Sequence, residues 1–203
     1  MDVVERALYN TLLSGIAQDG KSFFYVNPLE VWPDNCIERT SKEHIKPVRQ
    51  KWFGVACCPP NIARTLASMG QYIYFTDKNT VYVNLYISNE AQIDLDEGTT
   101  KIQIESDLTN TGHIVLKVTP DEGSTNNLAI RIPDYVKAYT IRKDGALLEH
   151  QDICQAYLTI GGISKQTEIV IDFEVPARFV RANPNVREDV GKTALVKGPL
   201  VYC

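Results

Sequence analysis

Apolar and polar residues alternate in short runs over most of the chain, from Thr80 onward. In the first run, residues 80–87, every second residue is valine, leucine or isoleucine. This period is typical of a strand with one buried face. Further runs lie at residues 91–95, 101–105, 113–118, 128–132, 136–142, 156–160, 167–175 and 193–202. Turn sequences such as Lys143-Asp144-Gly145 separate them. Many short strands without intervening helices predict an antiparallel β-sandwich.

The N-terminal part follows a helical period instead. Residues 2–18 carry an apolar residue at every fourth position from Val4, which predicts an amphipathic helix. A second helical pattern runs from Ile62 to Ile73, and Gly70 is placed where a left-handed cap could end that helix or at least loosen it. The boundary to the strands then lies near residues 74–80. The predicted fold class is therefore mainly β with an N-terminal α segment.

Composition excludes several classes of partner. The chain has 203 residues, of which 44% are hydrophobic and 23% charged, and its net charge is −4. The sequence lacks the excess of basic residues that would indicate a nucleic-acid partner. It also lacks an apolar run of about 18 residues, which would indicate a membrane span. No signal peptide is visible, and five cysteines without framework spacing fit a reducing compartment. We expect a cytoplasmic protein.

The strongest candidate chemistry lies at Cys57 and Cys58. Pro59-Pro60 follows them, and proline is tolerated in the first turn of a helix, so both thiols should lie at a helix N-terminus. The N–H groups and dipole there favour negative charge. A thiol pKa falls in such surroundings from about 8.5 to roughly 3.5–7.5, which makes a nucleophile or a metal ligand. Lys46, Arg49 and Lys51 form a positive end to the predicted loop 31–51. These three positive charges either lie on a solvated face or stabilise a nearby thiolate.

Less reactive interpretations of the cysteine pair stay open. A buried cysteine is usually a small hydrophobic residue, and a disulfide between neighbours is strained. A structural zinc site would need two more ligands at recognisable spacing. The other cysteines are isolated and the histidines are scattered, at Cys36, Cys154, Cys203, His44, His113 and His150.

The β part offers little chemistry of its own. Tyr82 and Tyr86 either stack on a sugar ring or pack against a neighbouring layer, which is the commoner arrangement. His113 and His150 lack partners in the sequence and are expected to be surface or satisfied residues.

Five segments, in their order, resemble glycoside hydrolase family 127, the β-L-arabinofuranosidases. The cysteine pair lies in one of them, among the same neighbours as in the family, which makes the resemblance specific. The segments are residues 5–11 (ERALYNT), 24–29 (FYVNPL), 49–53 (RQKWF), 56–64 (ACCPPNIAR) and 191–202 (GKTALVKGPLVY).

The resemblance implies a domain organisation. Members of this family carry an (α/α)6 barrel with the active site, followed by β-sandwich domains. Residues 1–76 would then be the last part of the barrel domain, residues 77–178 a β-sandwich, and residues 179–203 the start of a following β segment.

The resemblance also implies a mechanism and its residues. The family is retaining and uses a zinc-bound cysteine thiolate to attack the anomeric carbon, so zinc is the implied cofactor. By position, Cys57 matches the nucleophile and Cys58 a companion zinc ligand. Tyr25 matches a residue that contacts the sugar. The implied partner is an oligosaccharide or glycoconjugate that contains L-arabinofuranoside.

The remaining family groups should lie before Glu5, and they are absent from this sequence. They are a Glu-x-Cys element that completes the zinc site, the acid/base glutamate, and histidines that line the sugar pocket. We therefore expect this chain alone to be inactive and to hold zinc weakly, because two thiolates are half a tetrahedral site. The expected protein partners are the missing N-terminal barrel or other copies of the chain in a homo-oligomer. The alternative function is a non-catalytic β-sandwich module that binds carbohydrate or a partner chain.

Overall fold

The structure is a computed structural model, and it describes residues 1–26, 31–36, 45–55, 57–149 and 153–202. It is mostly β, with short helices near the N-terminus and several sheets, as predicted. The chain divides into two compact units. One is Val3–Met69, and the other is Met1–Asp2 with Gly70–Cys203. None of the helices in the described ranges is long and apolar enough to cross a membrane.

The first predicted helix forms, but it is shorter and less regular than residues 2–18. Helix α1, Asp2–Arg6, continues as a π-helical turn at Ala7–Leu12 and a 3₁₀ turn at Leu13–Gly15. It ends there because Ile16 is extended and forms a bridge with Phe23. Phe23 in turn pairs with Gln50, which lies near the end of the predicted loop 31–51.

Helix α2, Cys58–Ala67, begins at the cysteine pair as predicted. The predicted helix is interrupted just before Gly70, but Gly70 is not its cap. Helix α2 ends at Ala67, where the N–H of Ser68 bonds to Arg64 O and Leu66 O, and Gly70 begins the short helix α3, Gly70–Ile73. Gly70 has no left-handed backbone conformation. A short 3₁₀ turn at Pro33–Asn35 lies in the predicted loop, of which residues 37–44 are outside the described residues.

The strands follow the predicted runs, with shifted ends and some additions. They are β1 Tyr74–Asp77, β2 Thr80–Val83, β3 Asn89–Leu95, β4 Gly98–Asp107, β5 His113–Pro120, β6 Asn126–Arg131, β7 Ala138–Lys143, β8 Ala146–Leu147, β9 Ile153–Cys154, β10 Tyr157–Ile163, β11 Thr167–Glu174, β12 Ala177–Val180, β13 Ala194–Lys197 and β14 Leu200–Tyr202. The run predicted at 193–202 is a hairpin of two strands, because its register turns back between Lys197 and Leu200.

These strands form three sheets. The order is β1-β2-β6-β10-β9 in the first, β3-β4-β5-β11-β7-β8 in the second and β12-β13-β14 in the third. All pairings are antiparallel except β2 with β6, which is parallel and departs from the predicted antiparallel arrangement. A parallel pair needs a long crossover, and the crossover here runs through β3, β4 and β5 of the second sheet.

The core lies on one face of the second sheet and on the first sheet. Every second residue is buried along β11 and in the middle of β4 and β5, as alternation predicted. Tyr86, just after β2, packs edge-on against Phe173 of β11, with 5.5 Å between ring centroids. The segment after β2 therefore packs on the second sheet, which is a two-layer arrangement.

The strand predicted over residues 80–87 is shorter than its alternating pattern. Strand β2 ends at Val83, and Asn84, Leu85 and Tyr86 are all buried. Alternating sequence does not keep this segment in the sheet, because its polar groups find other partners. The guanidinium Nε of Arg131 donates to the carbonyl of Asn84, and the Tyr86 hydroxyl donates to the carbonyl of Arg131.

Candidate active site

The start of α2 presents the cysteine pair. Cys57 is the residue before the helix, Cys58 is its first residue, and Pro59 and Pro60 follow in the first turn. The Asn61 side chain donates from Nδ2 to the carbonyl of Cys57 at 2.8 Å, which fixes the backbone there. The prediction that both thiols lie at a helix N-terminus is confirmed.

The sulfur atoms are close together but not bonded. They are 3.9 Å apart, against about 2.05 Å in a disulfide, and both cysteines are free. Cys57 is exposed and Cys58 is half-buried. The pair is therefore neither a neighbour disulfide nor a pair of core residues, and two of the less reactive interpretations are excluded.

Tyr25 contacts both sulfur atoms. Its hydroxyl oxygen is 3.5 Å from Cys57 Sγ, and its carbonyl oxygen is 3.6 Å from Cys58 Sγ. The Phe53 ring packs against Tyr25 at 5.6 Å and against Phe23 at 5.2 Å between centroids. Sequence reasoning selected Tyr25 as a sugar contact and missed its contacts with the thiols, because 32 residues separate Tyr25 from Cys57.

These contacts affect the two thiols in opposite ways. The Tyr25 hydroxyl, followed by the neighbouring thiol of Cys58, lowers the pKa of Cys57 below its ordinary value. Burial, followed by the contact with Cys57, raises the pKa of Cys58. The hydrogen bond to Cys57 also raises the pKa of Tyr25. Cys57 is thus the more readily ionised thiol, as a nucleophile requires.

The spacing of the sulfur atoms fits two ligands of one zinc ion. Zinc–sulfur bonds of about 2.3 Å at the tetrahedral angle place two sulfurs about 3.8 Å apart, and the observed separation is 3.9 Å. Within the described part of the chain, no cluster of three or more histidine, cysteine, aspartate or glutamate side chains could hold a metal. The chain therefore offers half of a tetrahedral site there.

The other residues that the sequence singled out lie in different surroundings. Arg49 donates to the carbonyl of Ser14 at 2.6 Å, and its guanidinium lies 4.7 Å from the centre of the Phe24 ring. Tyr86 is buried, and Tyr82 packs edge-on against Tyr157 at 5.3 Å, so packing is the role of both. His113 has a partner that the sequence did not show: its Nδ1 is 2.7 Å from Asp172. His150 lies outside the described residues.

Family comparisons agree along the chain. The β-L-arabinofuranosidase GH127 catalytic domain matches residues 1–71, the GH127 middle domain matches residues 80–176, and the glycoside hydrolase family 127 C-terminal domain matches residues 177–203. All three describe one class of protein, the glycoside hydrolases.

Individual relatives agree with these matches. A non-reducing end β-L-arabinofuranosidase from Bifidobacterium longum subsp. longum is 36% identical over 100% of this chain and 31% of its own length. The crystal structure of a GH127 β-L-arabinofuranosidase from Geobacillus stearothermophilus T6 is 42% identical, with a TM-score of 0.87 over 100% of this chain and 32% of that one. A structure of another GH127 β-arabinofuranosidase is 35% identical, with a TM-score of 0.86 and the same coverage.

The chain belongs to glycoside hydrolase family 127. It spans about a third of the length of the relatives that it matches.

Proposed function

We propose that this chain supplies the nucleophile of a retaining β-L-arabinofuranosidase, and that Cys57 is that nucleophile. The observation that carries the proposal is the position of the Cys57 sulfur. It is exposed at the N-terminus of α2, within 3.5 Å of the Tyr25 hydroxyl and 3.9 Å of the Cys58 sulfur. Such surroundings favour a thiolate, and the thiolate is the reactive form of cysteine.

The reaction takes two displacements at the anomeric carbon. In the first, a carbon–sulfur bond to Cys57 forms as the glycosidic carbon–oxygen bond breaks, and the leaving oxygen takes a proton from a general acid. In the second, water displaces the sulfur, so the configuration is retained overall. The general acid would be a glutamate of a segment before residue 5, as the resemblance implies, and its conjugate base would take the proton of the attacking water in the second displacement.

Cys57 and Cys58 would hold zinc together with a Glu-x-Cys element of the preceding segment. When bound, zinc would keep the thiols deprotonated at neutral pH. Residues 1–76 would complete an (α/α)6 barrel with that segment. A reducing cytoplasm would keep the two thiols free. Tyr25 would contact the sugar from beside the nucleophile, because its hydroxyl already lies against Cys57.

Turnover of an aryl β-L-arabinofuranoside tests the proposal. The protein for this test joins the barrel segment of a family member to residues 1–203. Cys57→Ser should lower kcat by roughly 10⁴-fold or more, because the nucleophile is lost. Cys154→Ser, a change of an exposed cysteine in β9, should leave kcat unchanged. If Cys57→Ser kept a tenth of the activity, Cys57 would not be the nucleophile. Sugar binding without turnover, unaffected by Cys57→Ser, would favour a binding module.

A further inference from the structure

The two thiols of Cys57 and Cys58 are free, adjacent and reachable from solvent, and a ligand that needs only two sulfurs can use them without the rest of a zinc site. Their sulfurs are 3.9 Å apart, Cys57 is exposed and Cys58 is half-buried. Paired thiolates select soft, sulfur-preferring ions. We propose that this pair is a chelating site for monosubstituted trivalent arsenicals, R–As(OH)₂.

Chelation needs a small movement of the sulfurs. An arsenic–sulfur bond is about as long as a zinc–sulfur bond, ~2.3 Å, but its bond angle is narrower than tetrahedral. The sulfurs must therefore approach each other by about half an ångström, which a small side-chain rotation of the exposed Cys57 provides.

A disulfide between the same residues needs a much larger change. The sulfurs would have to approach to about 2.05 Å, while the Cα atoms of adjacent residues stay about 3.8 Å apart, below the usual disulfide range of about 4.4–6.8 Å. The arsenic bridge is thus the covalent cross-link that this geometry admits with less strain.

The reaction balances without an oxidant or a reductant. Each thiol replaces one hydroxyl group on arsenic, so two arsenic–oxygen bonds break, two arsenic–sulfur bonds form and two water molecules leave. The two thiol protons leave in that water, and arsenic remains trivalent throughout. The product is a cyclic dithioarsinite that joins Cys57 and Cys58.

The surroundings favour an aromatic substituent on arsenic. The half-exposed rings of Tyr25 and Phe53 pack at 5.6 Å between centroids, and the Tyr25 hydroxyl touches Cys57. An aryl group on arsenic can stack on such rings. We therefore choose phenylarsine oxide, which hydrates to the proposed ligand class, as the probe.

The other thiols of the described ranges are single. Cys36 donates to the carbonyl of Trp32 at 3.4 Å, and Cys154 is exposed in β9. A second bond formed within one site raises affinity by about 10²–10⁴-fold over a single bond. The pair should thus retain arsenic under conditions in which a single thiol releases it.

The experiment is intact-mass spectrometry of the reduced, metal-free 203-residue chain after equimolar phenylarsine oxide and a wash in excess glutathione, a monothiol. We expect one phenylarsenic group gained and two hydrogens lost, with peptide mapping that places both bonds at Cys57 and Cys58. Excess dithiothreitol should remove the adduct. Cys57→Ser and Cys58→Ser should each lower retention by about 10²-fold or more.

Cys154→Ser is the matched control and should retain the adduct fully. Circular dichroism establishes that each variant is folded, and Cys57→Ala replaces Cys57→Ser if the serine variant is not. An adduct that survives in Cys57→Ser or Cys58→Ser, that maps to another cysteine, or that glutathione removes from the unmodified chain would overturn the proposal. These outcomes do not depend on sugar hydrolysis, so the arsenical site and the proposed function fail separately.

Discussion

At the scale of single residues, Cys57 and Cys58 are neighbours in sequence but differ in surroundings. The sequence predicted the helix start that presents them, because Pro59-Pro60 and the helical period are local signals. These local signals do not distinguish the two thiols; only the resemblance gave them separate roles, and the structure adds the contacts with Tyr25 and the burial of Cys58. The hydroxyl of Tyr25 meets Cys57, whereas its carbonyl oxygen meets Cys58. A carbonyl oxygen can accept a hydrogen bond from a thiol but offers nothing to a thiolate.

Iodoacetamide should therefore alkylate Cys57 several-fold faster than Cys58 in the metal-free chain at neutral pH. The Tyr25 hydroxyl lowers the pKa of Cys57, burial raises the pKa of Cys58, and the rate follows the thiolate fraction. The difference in rate should shrink at alkaline pH, as Cys58, whose pKa is raised by burial, also ionises. Peptide mapping of the alkylated sites over time measures both rates.

Tyr25→Phe should reduce the difference between the two alkylation rates. The substitution removes the hydroxyl that favours the Cys57 thiolate, so Cys57 should react more slowly. Cys154, which is exposed, provides the internal rate standard and should not respond to that change. Equal rates at Cys57 and Cys58 in the unmodified chain would contradict the assignment of Cys57 as the more acidic thiol.

Gly112 is a position where only glycine fits. Its φ is +81°, a Cβ there would lie 2.1 Å from the carbonyl oxygen of Phe173, and its own carbonyl accepts from the Phe173 N–H at 2.9 Å. Gly112→Ala should lower the free energy of unfolding by about 3 kcal/mol or more, from backbone strain and displacement of β11. Urea denaturation measures it.

The matched control is Gly123→Ala, where φ is +83° but the space for a Cβ is open. It should cost only the backbone strain, about 1 kcal/mol. Similar losses at both positions would show that the clash with Phe173 carries no energy.

At the scale of elements, local alternation predicted the strands with two-sided neighbours well, such as β4, β5 and β11. It missed the short edge strands β1, β8, β9 and β12, where few residues alternate. It also extended β2 past Val83, because a buried segment outside the sheet can carry the same pattern. The partner that draws this segment away is Arg131, a charged side chain whose burial no local pattern reveals.

Asp2 pairs with Arg131, the last residue of β6. Arg131 Nη1 donates to the Asp2 carboxylate at 2.8 Å, and the Asp134 N–H donates to it at 3.1 Å. The Arg131 side chain is 2% exposed and that of Asp2 is 29% exposed. Burial acts to raise the pKa of Asp2, but the Asp134 N–H and the Arg131 charge outweigh it, so the pKa lies below its ordinary value.

The contribution of Asp2 to stability should therefore depend on pH. A carboxyl group with a lowered pKa in the folded state stabilises fully above its ordinary pKa of 3.8 and loses that stabilisation as the pH falls through the folded value. Asp2→Asn should lower the free energy of unfolding by about 1–3 kcal/mol at pH 7. The difference from the unmodified chain should shrink below about pH 4.

Asp172→Asn is the control for that measurement. Asp172 pairs with His113 and Arg142 on an exposed face, where all three side chains are 44–49% exposed. Asp172→Asn should lower the free energy of unfolding by less than about 1 kcal/mol at pH 7. Urea midpoints of both variants from pH 7 to pH 3 compare them, and a constant effect of Asp2→Asn over that range would contradict the ionised pair.

At the scale of the whole molecule, the family could be predicted because short motifs recur in a fixed order, and three domain matches confirm it. The parallel contact between β2 and β6 could not be predicted, since it joins strands more than 40 residues apart through another sheet. Further ligands for a zinc ion at Cys57 and Cys58 could not be predicted from the sequence, and the described residues hold no cluster of three or more potential metal ligands.

The isolated chain should therefore bind zinc weakly and turn over no aryl β-L-arabinofuranoside. Complete structural zinc sites contribute about 10–16 kcal/mol of binding free energy at pH 7. Two thiolates leave half of the coordination to water, and the expected acid/base glutamate lies outside residues 1–203. A chromogenic chelator should remove zinc from the 203-residue chain within mixing time.

A protein that joins the barrel segment of a family member to this chain should retain zinc against the chelator and hydrolyse the aryl substrate. Cys58→Ala in that longer protein should weaken zinc retention. Stoichiometric zinc that the isolated chain holds against the chelator would mean that residues outside the described ranges complete the site.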